Sequence, residues 1–564
     1  MLPQMPDVPY GSGMRRSRLA LIALSLIFTG SACSDSSTVT APTTPDTRAL
    51  VKQILSHCTD LAAPELGDGI LCIDNGFRMK SDDFSFKNWG RSLSAEGNAT
   101  AQTLIDLFGH DSVCMAGPQD TCVLRPTAIQ KLEEWNTALN AGRCEGLATL
   151  STRFLLRMDS PSDFQTNATS VSALSQDNKK LNSSVVYWWA TQFLNEVTDH
   201  AETSRGLSPL QLVDDLIQGI AHSMGYTVGI YNGPSGHSLT PFAVTQRDDD
   251  FVIHVYDNNH PGERFELFVN SRTNRWSYPN AFQDVDGSFI TWAGGRGTLE
   301  LTAMSTRKGP FQCSFCNTSL SNSQHVITLT SRDIRAASFI EITTEDGVLR
   351  TSPTAVENSI IGARVSIGKS SGSGLVTISL PDDIKNFDVR LMRASQDVPA
   401  ADVVLGLRRS DGASIQVTGN LSHDVLSNKS RSTPLISVSS DETAVHAPIE
   451  NVARLSLSAG SHISRRVLNA GETMTVKPIS ANSIEVAVKG ANGAQTPFAP
   501  IALTAEAPTT ELAVSLDDSG RLTFLPSRIA PIQVNAIQPR NFTPGKANPT
   551  TTTTIPSIEI SEPD

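Results

Sequence analysis

Apolar residues recur at spacings of three and four along several segments of the N-terminal half, and this period predicts amphipathic helices. The predicted helices cover 48–57, 100–108, 126–140, 183–200 and 209–224. Local chemistry supports two of their starts, because Pro126 suits a first helical turn and Ser208-Pro209 is a capping pair. The first part of the chain is therefore predicted to be mainly helical.

The hydrophobic period changes to two after residue 226, which is typical of strands. The strand-like segments are 227–231, 238–245, 251–256 and 264–270. The run Asp248-Asp249-Asp250 lies between the second and third segments and predicts a turn, so these two strands should form a hairpin. Helices followed by an antiparallel sheet predict an α+β domain over residues 48–310.

Helical patterns stop near residue 325, and short strands separated by Gly, Asp, Ser and Pro follow. This spacing predicts one or two β-sandwich domains, over 325–425 and 435–540. The Thr- and Pro-rich segment 541–564 is predicted to be disordered because it is too polar to bury a core. The predicted fold class is thus α+β, with a helical subdomain and an antiparallel sheet followed by the β-sandwich domains.

The N-terminal 33 residues have the pattern of a targeting segment. A basic cluster ending at Arg18 precedes the apolar run 19–28, and Thr29-Gly30-Ser31-Ala32-Cys33 follows. Small residues ending in a cysteine resemble a bacterial lipoprotein signal, which implies export and a lipid on Cys33. A cleaved, secreted protein is the alternative. Residues 34–47 are predicted to be a polar tether, and no later run is long and apolar enough to span a membrane.

Charge and cysteine content agree with an exported protein. The chain has 564 residues and a net charge of −12, without a basic block beyond the N-terminal cluster, which argues against nucleic-acid binding. Eight cysteines are present, and six of them pair by proximity as Cys58 with Cys72, Cys114 with Cys122, and Cys313 with Cys316. Other connectivities remain open, as does half of a zinc site at Cys313-x-x-Cys316. Cys33 and Cys144 are left over.

Cys144 lies where a turn leads into a helix, since Gly142 precedes it and an apolar run at helical spacing follows. The first turn of a helix favours a thiolate, so Cys144 is a candidate nucleophile. His237 begins one strand of the predicted hairpin and Asp257 ends the other, so both fall at the same end of it. The carboxylate would orient the imidazole, and the imidazole would deprotonate the thiol.

Each of these residues also has a structural interpretation. Cys144 could be a core thiol and His237 an ordinary turn histidine. Asp257-Asn258-Asn259 could be turn chemistry, or a calcium site together with Glu263. A metal shared by His254 and Asp257 is not expected, because residues three apart on a strand point to opposite faces.

The motif residues resemble those of the papain-like cysteine peptidase and transglutaminase-core superfamily, over roughly residues 125–280. The shared features are Gly-x-Cys-x-Gly around Cys144, Gly-His before a strand at His237, and Tyr-Asp-x-Asn-x-Pro-Gly from Tyr256. The resemblance implies a papain-like fold with Cys144 as nucleophile, His237 as base and Asp257 as orienting residue. Asn258 is the alternative third member, because papain itself uses an asparagine there.

These features together predict a cell-envelope cysteine hydrolase or acyltransferase, attached to a bacterial membrane through lipid on Cys33 or secreted. Its substrate would be a peptide, a protein or peptidoglycan, and no cofactor or metal is expected. The alternative is a non-catalytic surface binding or adhesion protein whose β domains carry the function and whose hydrolase domain is degenerate.

Overall fold

The part of the chain that can be described begins where the predicted tether ends. The computed structural model describes residues 47–533 except 60–65, 68, 91, 93–95, 115–120, 234, 284–287, 317–323, 332–338, 352–355, 370–374, 393–400, 411–412, 422–434, 447–452, 460–461, 470, 481–482, 498, 503–509, 517–521 and 529–531. The predicted signal peptide with Cys33, the tether up to residue 46 and the 541–564 tail lie outside the described residues.

Helices dominate the first part of the described chain. They are α1 (Thr47–Leu55), α2 (Ala101–Phe108), α3 (His110–Val113), α4 (Pro126–Leu139), α5 (Cys144–Leu155), α6 (Lys179–Ala190), α7 (Asn195–Arg205) and α8 (Pro209–Ala221). The predicted starts are confirmed, since α4 begins at Pro126 and the Ser208 side chain caps α8 by accepting the backbone N–H of Gln211. Local capping chemistry therefore fixes these ends.

The segment 183–200, predicted as one helix, contains parts of two helices. Helix α6 ends at Ala190, and α7 begins at Asn195 after a short 3-10 turn. The Thr191 hydroxyl donates to the carbonyl of Trp188 at 2.6 Å, and the Gln192 side chain donates to that of Trp189 at 2.9 Å. These side chains satisfy carbonyls that a continuing helix would have used, so the helix stops there.

Most of the first sheet follows the helices, as predicted, although β1 precedes α2. The strands up to residue 303 are β1 (Ile70–Asp74), β2 (Thr121–Cys122), β3 (Tyr226–Asn232), β4 (Ser235–Arg247), β5 (Asp250–Tyr256), β6 (Arg264–Asn270), β7 (Arg275–Gln283), β8 (Phe289–Gly294) and β9 (Leu299–Ala303). The sheet has the order β8-β7-β6-β5-β4-β3-β9, with β1 paired to β4. Helices and this antiparallel sheet confirm the α+β class.

Helices cover both faces of this sheet. On β5, Phe251, Ile253 and Val255 pack into a core with α8 and α1, whereas Tyr256 packs with α5 and α6 in the other core. Successive side chains of a strand point to opposite faces, so one strand contributes to both cores. Helix α5 packs against β4 and β3, and its residues from Cys144 to Phe154 are all buried.

The remaining strands are β10 (Gln324–Ser331), β11 (Phe339–Thr344), β12 (Val348–Thr351), β13 (Val356–Asn358), β14 (Arg364–Ile367), β15 (Leu375–Pro381), β16 (Phe387–Met392), β17 (Ala401–Arg408), β18 (Ser414–Leu421), β19 (Ile436–Val438), β20 (Thr443–His446), β21 (Ala453–Ala459), β22 (His462–Leu468), β23 (Thr473–Ser480), β24 (Ser483–Lys489), β25 (Ala499–Ala502), β26 (Thr510–Leu516), β27 (Leu522–Arg528) and β28 (Ile532–Gln533). All but β28, which pairs with β2, belong to two nine-stranded sheets.

These two sheets cross the predicted boundary between 325–425 and 435–540. One sheet has the order β14-β15-β10-β17-β18-β21-β22-β26-β27, and the other has the order β13-β12-β11-β16-β19-β20-β23-β24-β25. Strand β16 pairs with β19 and β18 pairs with β21, so strands from before and after the boundary are neighbours. Apolar residues from both predicted domains also share one core. Most of these strands fall where the spacing predicted them, and each sheet joins strands from both sides of that boundary.

Six cysteines form the three disulfides that proximity indicated, which are Cys58–Cys72, Cys114–Cys122 and Cys313–Cys316. Disulfides persist in oxidising environments, so these bridges indicate an extracellular setting for the chain. Because Cys313 and Cys316 are joined in a disulfide, they do not form the half zinc site that the sequence left open. Within the described ranges, no helix combines the length and the apolar character that crossing a membrane requires.

Candidate functional site

Helix α5 begins at Cys144, as the sequence predicted. The two glycines of the surrounding motif have structural causes. Gly142 has a φ of 137°, and a Cβ there would lie 2.8 Å from the Asn88 side-chain nitrogen. At Gly146 a Cβ would overlap the carbonyl oxygen of Val185, because α5 and α6 approach closely at that point. The motif therefore sets how the chain enters α5 and how α5 packs.

His237 connects the two other residues that the sequence singled out. Its Nε2 lies 2.8 Å from Oδ1 of Asp257, and both side chains are fully buried. The Cys144 thiol lies close enough to the His237 imidazole to interact with it electrostatically, and its own hydrogen bond goes to the carbonyl of Lys369 at 3.4 Å. The Tyr278 hydroxyl donates to Oδ2 of Asp257 at 2.7 Å, and the backbone N–H of Asn259 donates to Oδ1 at 2.9 Å. A thiol, an imidazole and a carboxylate therefore form one contact chain.

The strand register explains why His237 and Asp257 meet. Strands β4 and β5 pair with Thr240 opposite Tyr256, and one further step would place Asp257 opposite Leu239. His237 lies two residues from Leu239 on the same face of β4. Diagonal neighbours of this kind are within reach of long side chains.

Charge is concentrated at this pair. Burial disfavours a charged imidazole, but the Asp257 carboxylate outweighs burial and raises the pKa of His237 to about 10. Burial also acts against the carboxylate, yet the charge and hydrogen bond of His237 lower the pKa of Asp257. At neutral pH the pair is therefore an imidazolium and a carboxylate, and positive charge lies beside the sulfur.

Asn258, predicted as the alternative third member, holds the backbone of the site together. Its Nδ2 donates to the carbonyls of Cys144 and Ser238, each at 3.1 Å. The start of α5 is thereby tied to β4 next to His237. The imidazole itself is hydrogen-bonded to the carboxylate of Asp257.

A second set of charged side chains is buried beside Cys144. Arg307 pairs with Oε1 of Glu145, and Arg205 lies 3.3 Å from Oε2 of Glu300. The Lys369 ammonium lies 3.1 Å from Oε2 of Glu145 and 2.8 Å from Oε1 of Glu300. Burial would raise the pKa of both carboxyls, but the neighbouring cations, Lys369 foremost, lower that of Glu145 and bring that of Glu300 to about 2.

Lys369 also covers the sulfur. It follows β14, and its carbonyl accepts a hydrogen bond from the Cys144 thiol at 3.4 Å. Its backbone N–H donates to Oε1 of Gln192 at 2.6 Å. Cys144 is fully buried and takes part in no disulfide. The thiol is thus enclosed by an imidazole and a backbone carbonyl, not by aliphatic side chains alone.

His254 is not part of this arrangement. It lies 2.9 Å from the Thr245 hydroxyl and contacts Arg264, and burial followed by the Arg264 charge lowers its pKa to about 4. In the described part of the chain, no three His, Cys, Asp or Glu side chains converge where they could hold a metal ion.

Sequence reasoning missed Tyr278, Lys369 and the two buried glutamates. Tyr278 and Glu300 lie in strands where no motif distinguishes them. Glu145 carried a usable signal, because it is a charged residue inside the buried run that follows Cys144. A charge in such a position usually has a buried partner.

Comparisons of the chain with protein-family models, with curated proteins and with solved structures give no match.

Proposed function

We propose that this chain is a cell-envelope cysteine hydrolase or acyltransferase that acts on peptide or amide bonds. Cys144 is the nucleophile, His237 the base and Asp257 the residue that orients the imidazole. The observation that carries the proposal is the single buried imidazole shared between a thiol outside any disulfide and a carboxylate at 2.8 Å. A nucleophile beside a base, with the base hydrogen-bonded to an orienting group, is the arrangement that nucleophilic catalysis needs.

The reaction follows from these roles. His237 carries a proton at neutral pH, so the Cys144 sulfur reacts as a thiolate beside this imidazolium and forms a bond to the substrate carbonyl carbon. The C–N bond then breaks, the amine leaves with the proton from His237, and the acyl group remains on sulfur as a thioester. Water or a second amine then attacks the thioester and gives a proton to His237, and the sulfur departs as a thiolate beside the restored imidazolium. Water yields hydrolysis, and an amine yields transamidation.

The proposal extends to architecture and location. The helical region and first sheet correspond to a papain-like domain, and the two nine-stranded sheets to a β-sandwich region. The three disulfides agree with export. Attachment to a bacterial membrane through lipid on Cys33 is part of the proposal, and peptides, proteins and peptidoglycan are its candidate substrates.

One observation favours a second candidate function, that of a surface binding protein with a degenerate hydrolase domain. The thiol is fully buried, and the carbonyl of Lys369 lies against it. A site that stays closed would not turn over substrate, and function would then belong to the β region.

The test compares peptide amides, purified peptidoglycan and an added amine acceptor as substrates. Wild type, Cys144→Ser, His237→Gln and Lys369→Ala are assayed, with His254→Gln as the matched control for losing a buried histidine. We expect one substrate class to be turned over, with a loss of roughly a thousandfold or more in Cys144→Ser and His237→Gln. His254→Gln should keep its activity.

Full turnover by Cys144→Ser would show that the assigned nucleophile is wrong. Absence of turnover in both wild type and Lys369→Ala, with both folded by circular dichroism, would favour the binding protein.

A further inference from the structure

The pocket beside Cys144 holds a complete lysine residue by its backbone and by its side chain. Lys369 donates its N–H to Gln192, and its carbonyl meets the Cys144 thiol. Its side chain, which is 3 % exposed, extends to Glu145 and Glu300. Lysine is almost never so fully buried without a partner, and here the backbone and side chain are both engaged.

Three oxygen atoms surround the ammonium group. Oε1 of Glu300 at 2.8 Å and the Thr302 hydroxyl at 3.2 Å accept its hydrogen bonds, and Oε2 of Glu145 lies 3.1 Å away as an ion-pair partner. The Thr302 hydroxyl gives its own proton to Glu300 at 3.2 Å, so its lone pairs are available to the lysine. An ammonium group is a compact charge with rotatable N–H donors, which suits two acceptors and a nearby carboxylate, whereas a guanidinium spreads five N–H donors in a plane. The pocket therefore fits a primary ammonium.

The two carboxylates that line the pocket are each held by an arginine. Arg307 occupies the other oxygen of Glu145, and Arg205 lies against the other oxygen of Glu300. Arg307 is fully buried, and Arg205 is 11 % exposed. Each carboxylate thus uses one oxygen for an arginine and directs the second toward the lysine. This arrangement orients the acceptors before any ligand arrives, which favours selective binding.

We propose that the Glu145–Glu300–Thr302 pocket recognises a lysine-type side chain on the acyl-donor residue of the substrate, and that Lys369 occupies this pocket as a competitor within the chain. The inference rests on the proposed function, because the Lys369 carbonyl contacts the sulfur that would attack a substrate carbonyl. The substrate class is thereby narrowed to peptides or amides in which a residue with a terminal primary ammonium precedes the bond that is broken.

The test uses Lys369→Met in the full chain, because methionine keeps an unbranched stem without the charge. Iodoacetamide modification of Cys144 is followed by mass spectrometry of the tryptic peptide Cys144–Arg153, which isolates this thiol. The competitors are the tetrapeptide Ser-Ile-Gly-Lys, which repeats residues 366–369, and its norleucine and arginine counterparts. Protection of a thiol by a peptide does not require turnover.

We expect Cys144 in Lys369→Met to react about tenfold faster or more than in wild type, since several charge-assisted contacts are lost. The lysine peptide should restore protection at concentrations about tenfold or more below those of the norleucine and arginine peptides. Equal protection by all three peptides, or protection by none, would overturn the proposal and leave Lys369 a structural tie.

A second variant covers the case in which Lys369→Met does not fold. Thr302→Val keeps Lys369 and both carboxylates and removes one of the two hydrogen-bond acceptors of the ammonium group, so the same competition can be run on it with the same expected order of peptides. Selective protection without any Cys144-dependent turnover would support the pocket and contradict the proposed enzyme. Cys144-dependent turnover without preference for lysine would support the proposed enzyme and contradict the proposed pocket.

Discussion

Replacing Asp257 by asparagine removes one charge from the buried pair and changes little else in shape. The carboxylate accepts from His237 at 2.8 Å and from the Tyr278 hydroxyl at 2.7 Å. Burial alone would favour a neutral imidazole, and Asp257 reverses this preference by raising the pKa of His237 to about 10. We therefore expect His237 to be neutral at pH 7 in Asp257→Asn and the protein to be less stable.

The size of the expected stability loss follows from the shift in the pKa of His237. A rise from 6.5 to about 10 spans between three and four pKa units, and at about 1.4 kcal/mol per unit this is about 5 kcal/mol. Removing one member of a buried pair costs about 3–5 kcal/mol in other proteins. Because asparagine can still hydrogen-bond a neutral imidazole, we expect the free energy of unfolding to fall by about 3 kcal/mol at neutral pH.

The directions of the two pKa shifts determine how the stability difference between wild type and Asp257→Asn changes with pH. The pKa of His237 is raised, so its contribution to stability is complete below the unfolded value near 6.5 and is lost as pH rises through about 10. The pKa of Asp257 is lowered, so its contribution is present above the unfolded value and is lost in more acidic solution. The difference between wild type and Asp257→Asn should therefore be large near pH 6 and smaller near pH 10.

Urea unfolding followed by tryptophan fluorescence, repeated from about pH 6 to about pH 10, measures this difference. His254→Gln is the control, because the pKa of His254 is lowered to about 4 and the folded protein keeps this histidine neutral over this range. Its stability difference from wild type should change by less than about 1 kcal/mol, and only near pH 6, because only the unfolded histidine titrates there. A flat or widening difference for Asp257→Asn would refute the assigned ion pair.

Three further outcomes follow from contacts of the site. Tyr278→Phe removes the hydroxyl that donates to Asp257, and the free energy of unfolding should fall by about 1–2 kcal/mol in the same urea assay; an unchanged value would contradict that hydrogen bond. Arg307→Met leaves Glu145 with Lys369 as its remaining cationic partner, and a loss of about 3 kcal/mol is expected by urea unfolding, whereas wild-type stability would contradict a required buried pair. Without reductant, alkylation of the unfolded chain should modify the Cys144 peptide and spare the six bridged cysteines, and peptide mapping would reveal any exception.

The features that sequence predicted well are those set by near neighbours along the chain. Helices start at Pro126 and Cys144 because turn and cap chemistry is local, and the hairpin of β4 and β5 follows from strand period and the turn between them. That hairpin brings His237 and Asp257 together, so two members of the site could be placed relative to each other.

The features that sequence did not predict depend on contacts between distant segments. Lys369 lies 225 residues from Cys144, and neither residue carries a spacing that indicates the other. Pairing across the predicted boundary at 425–435, such as β18 with β21, likewise depends on how two sheets bury one core. Strand patterns show which face is apolar, but they do not name the neighbouring strand.

Variants of Asn258 test whether Asp257 orients the imidazole of His237 while Asn258 only holds the backbone of the site. Its amide donates to the carbonyls of Cys144 and Ser238, so Asn258→Ala would remove two buried hydrogen bonds and should lower the free energy of unfolding by about 2 kcal/mol. Asn258→Asp should be worse, because a carboxylate would face two carbonyl oxygens with no proton to give. The opposite order is expected if Asn258 orients the imidazole, since aspartate can accept from an imidazole as well as asparagine can. Urea unfolding and turnover of both variants decide between the two, and wild-type behaviour of Asn258→Asp would assign the orienting role to Asn258.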